Sequence, residues 1–404
     1  MIGGRKLNLS VKILISLILA IIAGLIAGAE NLPWIKLWIA PIGTMFINLI
    51  KMMIVPVVMA SIIVGAASLG DTKKLGRIGV KVMAFYLITT AIAMIIGLGV
   101  AGVVHPGDGI TIAAEAAKTD VKAAPTIMEV IVNMVPANPL KAMTNVDMLP
   151  IIVFSLIIGI GITHVGQKAL PLQNFFEALA EVSYKIITLI MELAPYGVFA
   201  LLLPVVAANG PKVLLPLLSV IIAAFAASIL HAVITYASVI QAVGKMSPIK
   251  FFKGMAEAMM IAFTTCSSAG TLPVNMKNCQ EKLGVSKEVS SFVLPLGATI
   301  NMDGTAIYMS VCTLFIANVY GVDLTAAQML IVVLTGTLAS IGTAGVPGAG
   351  MIMLAMVLQA VNLPLEGIAL VAGIDRVLDM CRTTLNITGD AAAAVVINKT
   401  EENK

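Results

Sequence analysis

Six runs of apolar residues, at roughly 12–29, 38–68, 78–104, 148–166, 173–208 and 213–243, reach or approach the ~20 residues a helix needs to cross a bilayer. Few folds accommodate such runs. Backbone N–H and C=O groups find no water in hydrocarbon, so each run has to satisfy them internally as a helix. Composition agrees, with 59% hydrophobic and 11% charged residues, where a soluble domain averages about 25% charged. The 404 residues contain no polar stretch long enough to be a separate soluble domain, so they make one polytopic unit. A net charge of +4 is too small to argue for a nucleic-acid partner. The first run lacks a small-residue cleavage site before Glu30-Asn31 and reads as a retained membrane helix. Cys266, Cys279, Cys312 and Cys381 form no CxxC pair, which argues against structural zinc and a disulfide framework. His105, His164 and His231 are isolated in sequence and are expected to be without a role.

Basic residues set the orientation. Arg5, Lys6 and Lys12, then Lys73, Lys74 and Arg77, Lys168, Lys245, Lys250 and Lys253, Lys277, Lys282 and Lys287, Lys399 and Lys404 fall on one side, and Lys36, Lys118, Lys122, Lys141 and Lys212 on the other. Both termini are therefore expected on the cytoplasmic side. The polar stretch from His105 to Asp147 reads as an extracellular loop with short helical pieces.

The last third departs from simple crossings. Residues 254–276 and 327–362 are apolar but are interrupted midway by Ser, Thr, Gly and Pro. One crossing by the first would put Lys250 and Lys253 opposite Lys277 and Lys282. A hairpin that dips in and returns keeps both clusters cytoplasmic, and the second, turning within Ala339 to Gly350, then dips from outside. Each hairpin is followed by a polar-marked helix, one interrupted at Asn301-Met-Asp-Gly-Thr305 and one running from Asp375 to Asp390. Two such units of opposite entry are the signature of an inverted repeat, which puts a binding site between them near the bilayer midplane.

On the last helix, Asp375, Asp379, Arg382, Asn386 and Asp390 fall within an arc of roughly 60–80° at ~100° per residue. A charge inside a bilayer costs at least about 2.5–3.5 kcal/mol, so this row has to be compensated by its own members, by cations or by a charged ligand. The planar fork of Arg382 suits a carboxylate, while Asp379 suits an ammonium group. A dicarboxylate bearing an amino group fits both. An internal salt bridge from Arg382 to Asp379 or Asp375 is the alternative at that spacing. A break at Asn301 to Thr305 exposes carbonyls beside Asp303, the oxygen ligands that hard cations such as sodium take. Thr89 and Thr90 taken alone would bond to their own backbone. A cation channel fits two blind-ended hairpins poorly, and no His or Lys lies near Ser267 and Ser268 in sequence to make a hydrolase.

Across nearly its whole length the chain resembles the glutamate transporter family of dicarboxylate and amino-acid:cation symporters. The resemblance rests on Lys51-Met-Met-Ile-Val-Pro-Val-Val, Phe85-Tyr-Leu-Ile-Thr-Thr, Ser267-Ser-Ala-Gly-Thr-Leu-Pro, Asn301-Met-Asp-Gly-Thr, Ser340-Ile-Gly-Thr-Ala-Gly-Val-Pro-Gly and Asp379-Met-Cys-Arg-Thr-Thr-Leu-Asn-Ile-Thr-Gly-Asp. Lacking a large extracellular insertion, it is most similar to prokaryotic members such as the archaeal aspartate transporters. The resemblance implies an all-α membrane protein of eight transmembrane helices plus two re-entrant hairpins, a homotrimer working by an elevator motion. Residues 1–77 would hold scaffold helices 1 and 2, 78–104 transport helix 3, 105–243 the extracellular loop, scaffold helices 4 and 5 and transport helix 6, and 244–404 the transport core.

It further implies that Arg382 and Thr305 bind the substrate side-chain carboxylate and Asp379 its amino group. Thr383 and Asn386 would serve the amino and main-chain carboxylate region, with Ser267, Ser268, Val346 and Gly350 lining the pocket. Sodium would bind at three sites. One uses Asp390, Asn386, Gly297 and Asn301; a second uses Thr299, Ser340, Ile341 and Thr343; a third uses Tyr86, Thr89, Thr90, Asn301 and Asp303. The expected function is sodium-coupled symport of L-aspartate or L-glutamate across the cytoplasmic membrane, not an enzymatic reaction. The alternative is a proton-coupled glutamate or C4-dicarboxylate symporter. Asp379 weighs against a C4-dicarboxylate, which would leave it unpaired. Three positions depart from the family pattern. Cys266 and Met380 stand where archaeal and animal members respectively carry an arginine, for which Arg376 is the nearest substitute, and Met309 stands where animal members carry an acid tied to proton coupling.

Overall fold

A computed structural model describes residues 9–67, 73–108, 128, 132–210, 214–340 and 349–402. Arg5, Lys6, Lys118, Lys122, Lys212 and Lys404, and the tip residues Ile341, Thr343 and Val346, lie outside the described residues. All regular structure among the described residues is helical. Among the described residues, five segments have the length and apolar composition to cross a membrane, Ala40–Ala67, Ile78–Val104, Leu149–Ile187, Leu215–Ala242 and Lys287–Val319. Four shorter apolar helices accompany them, Ile15–Ala27, Ala194–Ala208, Ala326–Ala339 and Gly350–Ala360. This is a multi-pass membrane protein.

The helices sort by packing into two groups. In the first, α1 (Leu9–Ala27) lies on α8 (Ala194–Asn209), while α3 (Ala40–Ala67), which follows the short α2 (Leu32–Trp38), packs against α6 (Met148–Val165), α7 (Leu170–Glu192) and α8. In the second, α4 (Lys73–Val104) packs against α9 (Leu214–His231), α14 (Asp303–Val319) and α15 (Ala326–Ala339). The long α18 (Asp375–Glu402) runs through this second group, touching α9, α11 (Pro248–Thr265), α12 (Ser268–Glu281), α13 (Lys287–Ile300) and α14. The groups meet where α16 (Ala349–Ala360) touches α3 and α6 and α17 (Ile368–Ala372) touches α8. Large apolar side chains left exposed follow helical spacing, as with Val80, Ile88, Ile95 and Val103 on α4. Such a stripe is a surface for lipid rather than water.

Each expected hairpin has two arms that pack on one another. The first is α11 and α12, joined at Cys266, whose left-handed φ of 53° ends α11, and Ser267, which caps α12 by accepting from Gly270 N at 3.0 Å. The second is α15 and α16, which pack on one another. α15 opens with a capping box in which Thr325 and Gln328 satisfy each other's backbone. The expected interruption also forms. α13 ends at Ile300, Asn301 is extended, and α14 begins at Asp303, so a 33-residue apolar segment is two half-helices. The loop after His105 carries the short helix α5 (Pro139–Asn145), closed by Val146 in the left-handed region.

Two differences have local causes. The run 173–208 is not one helix but α7 and α8, parted at Leu193, with Pro195 in the first turn of α8, a position where its missing N–H costs nothing. The run 213–243 is helical from Leu214 to Ala242 but carries a π-helical turn, Ala232–Ala237, between α9 and α10 (Ser238–Ala242).

Candidate functional site

The polar row of α18 is buried. Asp375, Asp379, Arg382, Thr383, Asn386 and Asp390 all sit inside the second helix group. Arg382 is held from two sides. Its Nε donates to Asp379 Oδ1 at 2.9 Å, its Nη1 to Asp375 Oδ1 at 2.8 Å, and its guanidinium lies 4.6 Å from the centre of the Tyr308 ring. Both internal salt bridges considered from helical spacing therefore form at once. Thr383 Oγ1 also donates to Asp379 Oδ1, at 3.0 Å. Asp379 is thus satisfied within the chain, and its need for an ammonium partner no longer discriminates between substrates. Asp375 acts here as the second carboxylate of a buried acid–base–acid triad. Such groups stay charged in a protein interior only when mutually paired.

The two hairpins approach the triad. A Cβ at Gly350 in α16 would fall 2.4 Å from Arg382 Nη1, so the backbone of the second hairpin lies directly against the guanidinium. Arg376 Nη2 lies 3.4 Å from the carbonyls of Thr264 and Thr265, the last residues of α11. A cation there complements the negative end of that helix, beside the Cys266 position that lacks an arginine. Ser268 is buried and Ser267 half-buried, with Ser267 engaged in capping α12.

One turn further along α18, the half-helix joint takes over. Asn386 Oδ1 accepts from Gly304 N at 2.7 Å, and Asn386 Nδ2 lies 3.4 Å from Thr305 Oγ1. Asn301 Nδ2 donates to both the Asn386 carbonyl and Asp390 Oδ1, each at 2.9 Å. Its own Oδ1 is buried without a hydrogen-bond partner. An unpartnered oxygen at that depth costs on the order of 1–3 kcal/mol, which a ligand that accepts its lone pair recovers. A Cβ at Gly297 would fall 2.5 Å from Asp390 Oδ1 and 2.5 Å from the Tyr86 hydroxyl, so α13, α18 and α4 converge there without a side chain between them. Asp303 Oδ1 accepts from Thr90 Oγ1 at 2.7 Å, while Thr89 donates to its own helix at the Tyr86 carbonyl. Oxygens from three helices, among them two buried carboxylates, are the kind of donor a hard monovalent cation takes. Other members of the expected set stand apart. Thr299 is exposed and bonds to the Leu296 carbonyl of its own helix, and Ser340 is buried but bonds to Thr337, within its own arm.

His231 was not expected in the site. It is completely buried, with Nε2 3.2 Å from Asp303 Oδ2 and Nδ1 3.2 Å from Thr235 Oγ1, and the Tyr236 hydroxyl donates to the same Oδ2 at 2.6 Å. No local sequence pattern joins residues 72 positions apart, and the π-helical turn is what lines up His231 with Tyr236.

An all-helical membrane chain that buries a charged triad beside a broken helix rich in oxygen donors has the make-up of a solute transporter. Comparison with known proteins agrees. The description of the sodium:dicarboxylate symporter family matches residues 9–400, and the chain belongs to that family, whose members are transporters rather than enzymes. It is 37% identical over 409 residues to the proton/sodium-glutamate symport protein of Geobacillus stearothermophilus, covering 98% of this chain and 95% of that one. It is 36% identical to the proton/glutamate-aspartate symporter of Escherichia coli (strain K12), covering 98% and 93%. It is 33% identical to the C4-dicarboxylate transport protein of Bacillus subtilis (strain 168), covering 98% and 94%.

Proposed function

We propose that the chain is a sodium-coupled symporter of acidic amino acids, L-aspartate or L-glutamate. It works as a homotrimer in the cytoplasmic membrane, with eight membrane helices, two re-entrant hairpins and both termini cytoplasmic. The observation that carries this reading is that Arg382, a carboxylate-binding fork, and Asp390, in the cation-fitting cluster, lie two turns apart on one buried helix with Asn386 between them. Substrate would displace Asp375 or Asp379 from Arg382 and take over part of the pairing. Sodium, as cargo, would bind among the oxygens of Tyr86, Thr90, Gly297, Asn301, Asp303 and Asp390. Neutralising two buried carboxylates makes closure of the second hairpin over Gly350 cheaper, which ties ion to substrate. An elevator motion is supported by the way the helices sort, with α4, α9 and α11 to α18 moving against α1, α3 and α6 to α8.

The rival reading is a proton-coupled glutamate carrier or a C4-dicarboxylate carrier. It draws on the internal pairing of Asp379 and on relatives whose names include protons and C4-dicarboxylates. Uptake of radiolabelled aspartate, glutamate and succinate into proteoliposomes under separate sodium, proton and potassium gradients decides between them. A sodium gradient alone should drive aspartate or glutamate uptake and leave succinate outside, and Arg382→Ala should abolish it. Uptake driven by protons without sodium, or succinate accumulation matching aspartate, sinks the sodium–amino-acid reading.

A further inference from the structure

Asp303 is gripped asymmetrically. Oδ1 accepts from Thr90 on α4, a residue of the cation-fitting cluster. Oδ2 faces the other way, into a pocket made by Tyr236 and His231 at the junction of α9 with the π-helical turn. The Tyr236 hydroxyl is the shorter contact, at 2.6 Å, and the same oxygen lies 3.5 Å from the Leu385 carbonyl of α18. A Cβ at Gly389 would fall 2.4 Å from that hydroxyl and 2.5 Å from Asn301 Nδ2, so Tyr236 reaches the half-helix joint through a gap only glycine leaves open. His231 stacks edge-on against Tyr236 with ring centroids 4.8 Å apart, and Thr235 occupies its other nitrogen. With Asp303 ionised, His231 Nε2 donates to it and Nδ1 accepts from Thr235 Oγ1. In a regular α-helix residues five apart point well away from each other. The π-turn removes most of that angle and puts both donors on one face.

We propose that Tyr236 and His231 are positioning residues for the coupling-cation site. By fixing Oδ2 of Asp303 they prevent the carboxylate from rotating and present Oδ1 alone beside Thr90. Their hydrogen bonds run to Asp303, Thr235 and the Leu385 carbonyl rather than to Arg382 or the carboxylates that pair with it, so their influence falls on the cation rather than on the substrate. The inference rests on Asp303 being a cation ligand, and the experiment separates the two claims.

Sodium half-saturation of aspartate uptake, and aspartate KM at saturating sodium, are measured in proteoliposomes for Tyr236→Phe, His231→Leu, His231→Gln and Asp303→Asn. Tyr236→Phe removes one hydroxyl and preserves the ring, so it tests the proposal without a large packing defect. Loss of one hydrogen bond to a charged group is on the order of 1.5 kcal/mol, or about tenfold. Tyr236→Phe and His231→Leu should each raise sodium half-saturation by about tenfold and leave aspartate KM within about twofold. His231→Gln, whose amide nitrogen again donates to Oδ2, should bring half-saturation back to within about threefold of the parent. If Asp303→Asn raises sodium half-saturation and Tyr236→Phe and His231→Leu do not, the positioning role is wrong and the cation site stands. A rise in aspartate KM that matches the sodium effect, or no rescue by His231→Gln, also overturns it, since a general packing role would do both. If Asp303→Asn leaves sodium dependence unchanged, the cation-site reading itself fails.

Discussion

Gly297→Ala tests the proposed cation cluster where α13, α18 and α4 converge. The added methyl carbon would lie 2.5 Å from Asp390 Oδ1, 2.8 Å from its Cγ and 2.5 Å from the Tyr86 hydroxyl, all inside van der Waals contact. Both neighbours are tied down, Asp390 by Asn301 Nδ2 and Tyr86 by donation to the Val293 carbonyl at 3.1 Å. Relief requires the carboxylate to swing away and give up the Asn301 bond, a charge-assisted interaction worth about 1.5–3 kcal/mol. That converts to a sodium half-saturation about 10- to 150-fold higher. Alanine also raises helix propensity by about 1 kcal/mol over glycine, so global stability should not fall by the same amount. Gly99→Ala in α4 is the matched control, because a methyl there meets nothing within 4 Å. Sodium titration of aspartate uptake, with thermal unfolding in detergent run on the same preparations, separates site from fold. A Gly297→Ala protein with the sodium dependence of the Gly99→Ala control would refute the convergence of α13, α18 and α4 on a cation.

Two further glycines extend the test. Gly350→Ala puts a methyl 2.4 Å from Arg382 Nη1, so aspartate KM should rise by about tenfold with sodium half-saturation little changed; an unchanged KM would mean that α16 does not bear on the substrate site. Gly304→Ala sets a methyl 2.1 Å from the Arg382 carbonyl oxygen and 2.5 Å from its Cα, a collision with backbone that no rotamer relieves. Its cost should reach several kcal/mol, seen as loss of monodisperse protein in size-exclusion chromatography, and a parental elution profile with normal uptake would show the crossing of α14 over α18 to be looser than described.

Much of the architecture was legible because membrane insertion penalises misplaced polarity so heavily. Lys250, Lys253, Lys277 and Lys282 can share a side only if the chain between them turns back, and α11 and α12 do so. Asn301, Asp303 and Gly304 disfavour helix inside an apolar run, and the helix breaks there. The row on α18 was visible from angular spacing alone. What escaped was long-range. Helical spacing offered Arg382 either Asp375 or Asp379 and could not announce that it takes both. His231 looked idle because its partners are Asp303, on another helix, and Tyr236, five residues on, a spacing that only a π-turn brings together. The division of α7 from α8 was signalled by Pro195, overlooked within a run whose hydropathy never falters.

The joint between α13 and α14 has a consequence for genetics. Gly304 N binds Asn386, Asn301 binds both the Asn386 carbonyl and Asp390, and Asp303 reaches α4 and the π-turn, all within a stretch of four residues. On the proposed function, substrate-side and ion-side contacts thus hang from one short piece of backbone. A selection for altered ion preference alone should recover changes on α4 and the π-turn, and one for altered substrate alone should recover changes near Arg382. Asn301 and Gly304 should be missing from both collections, because each is tied to Asn386 and, through Asp390 or the Arg382 backbone, to a second part of α18.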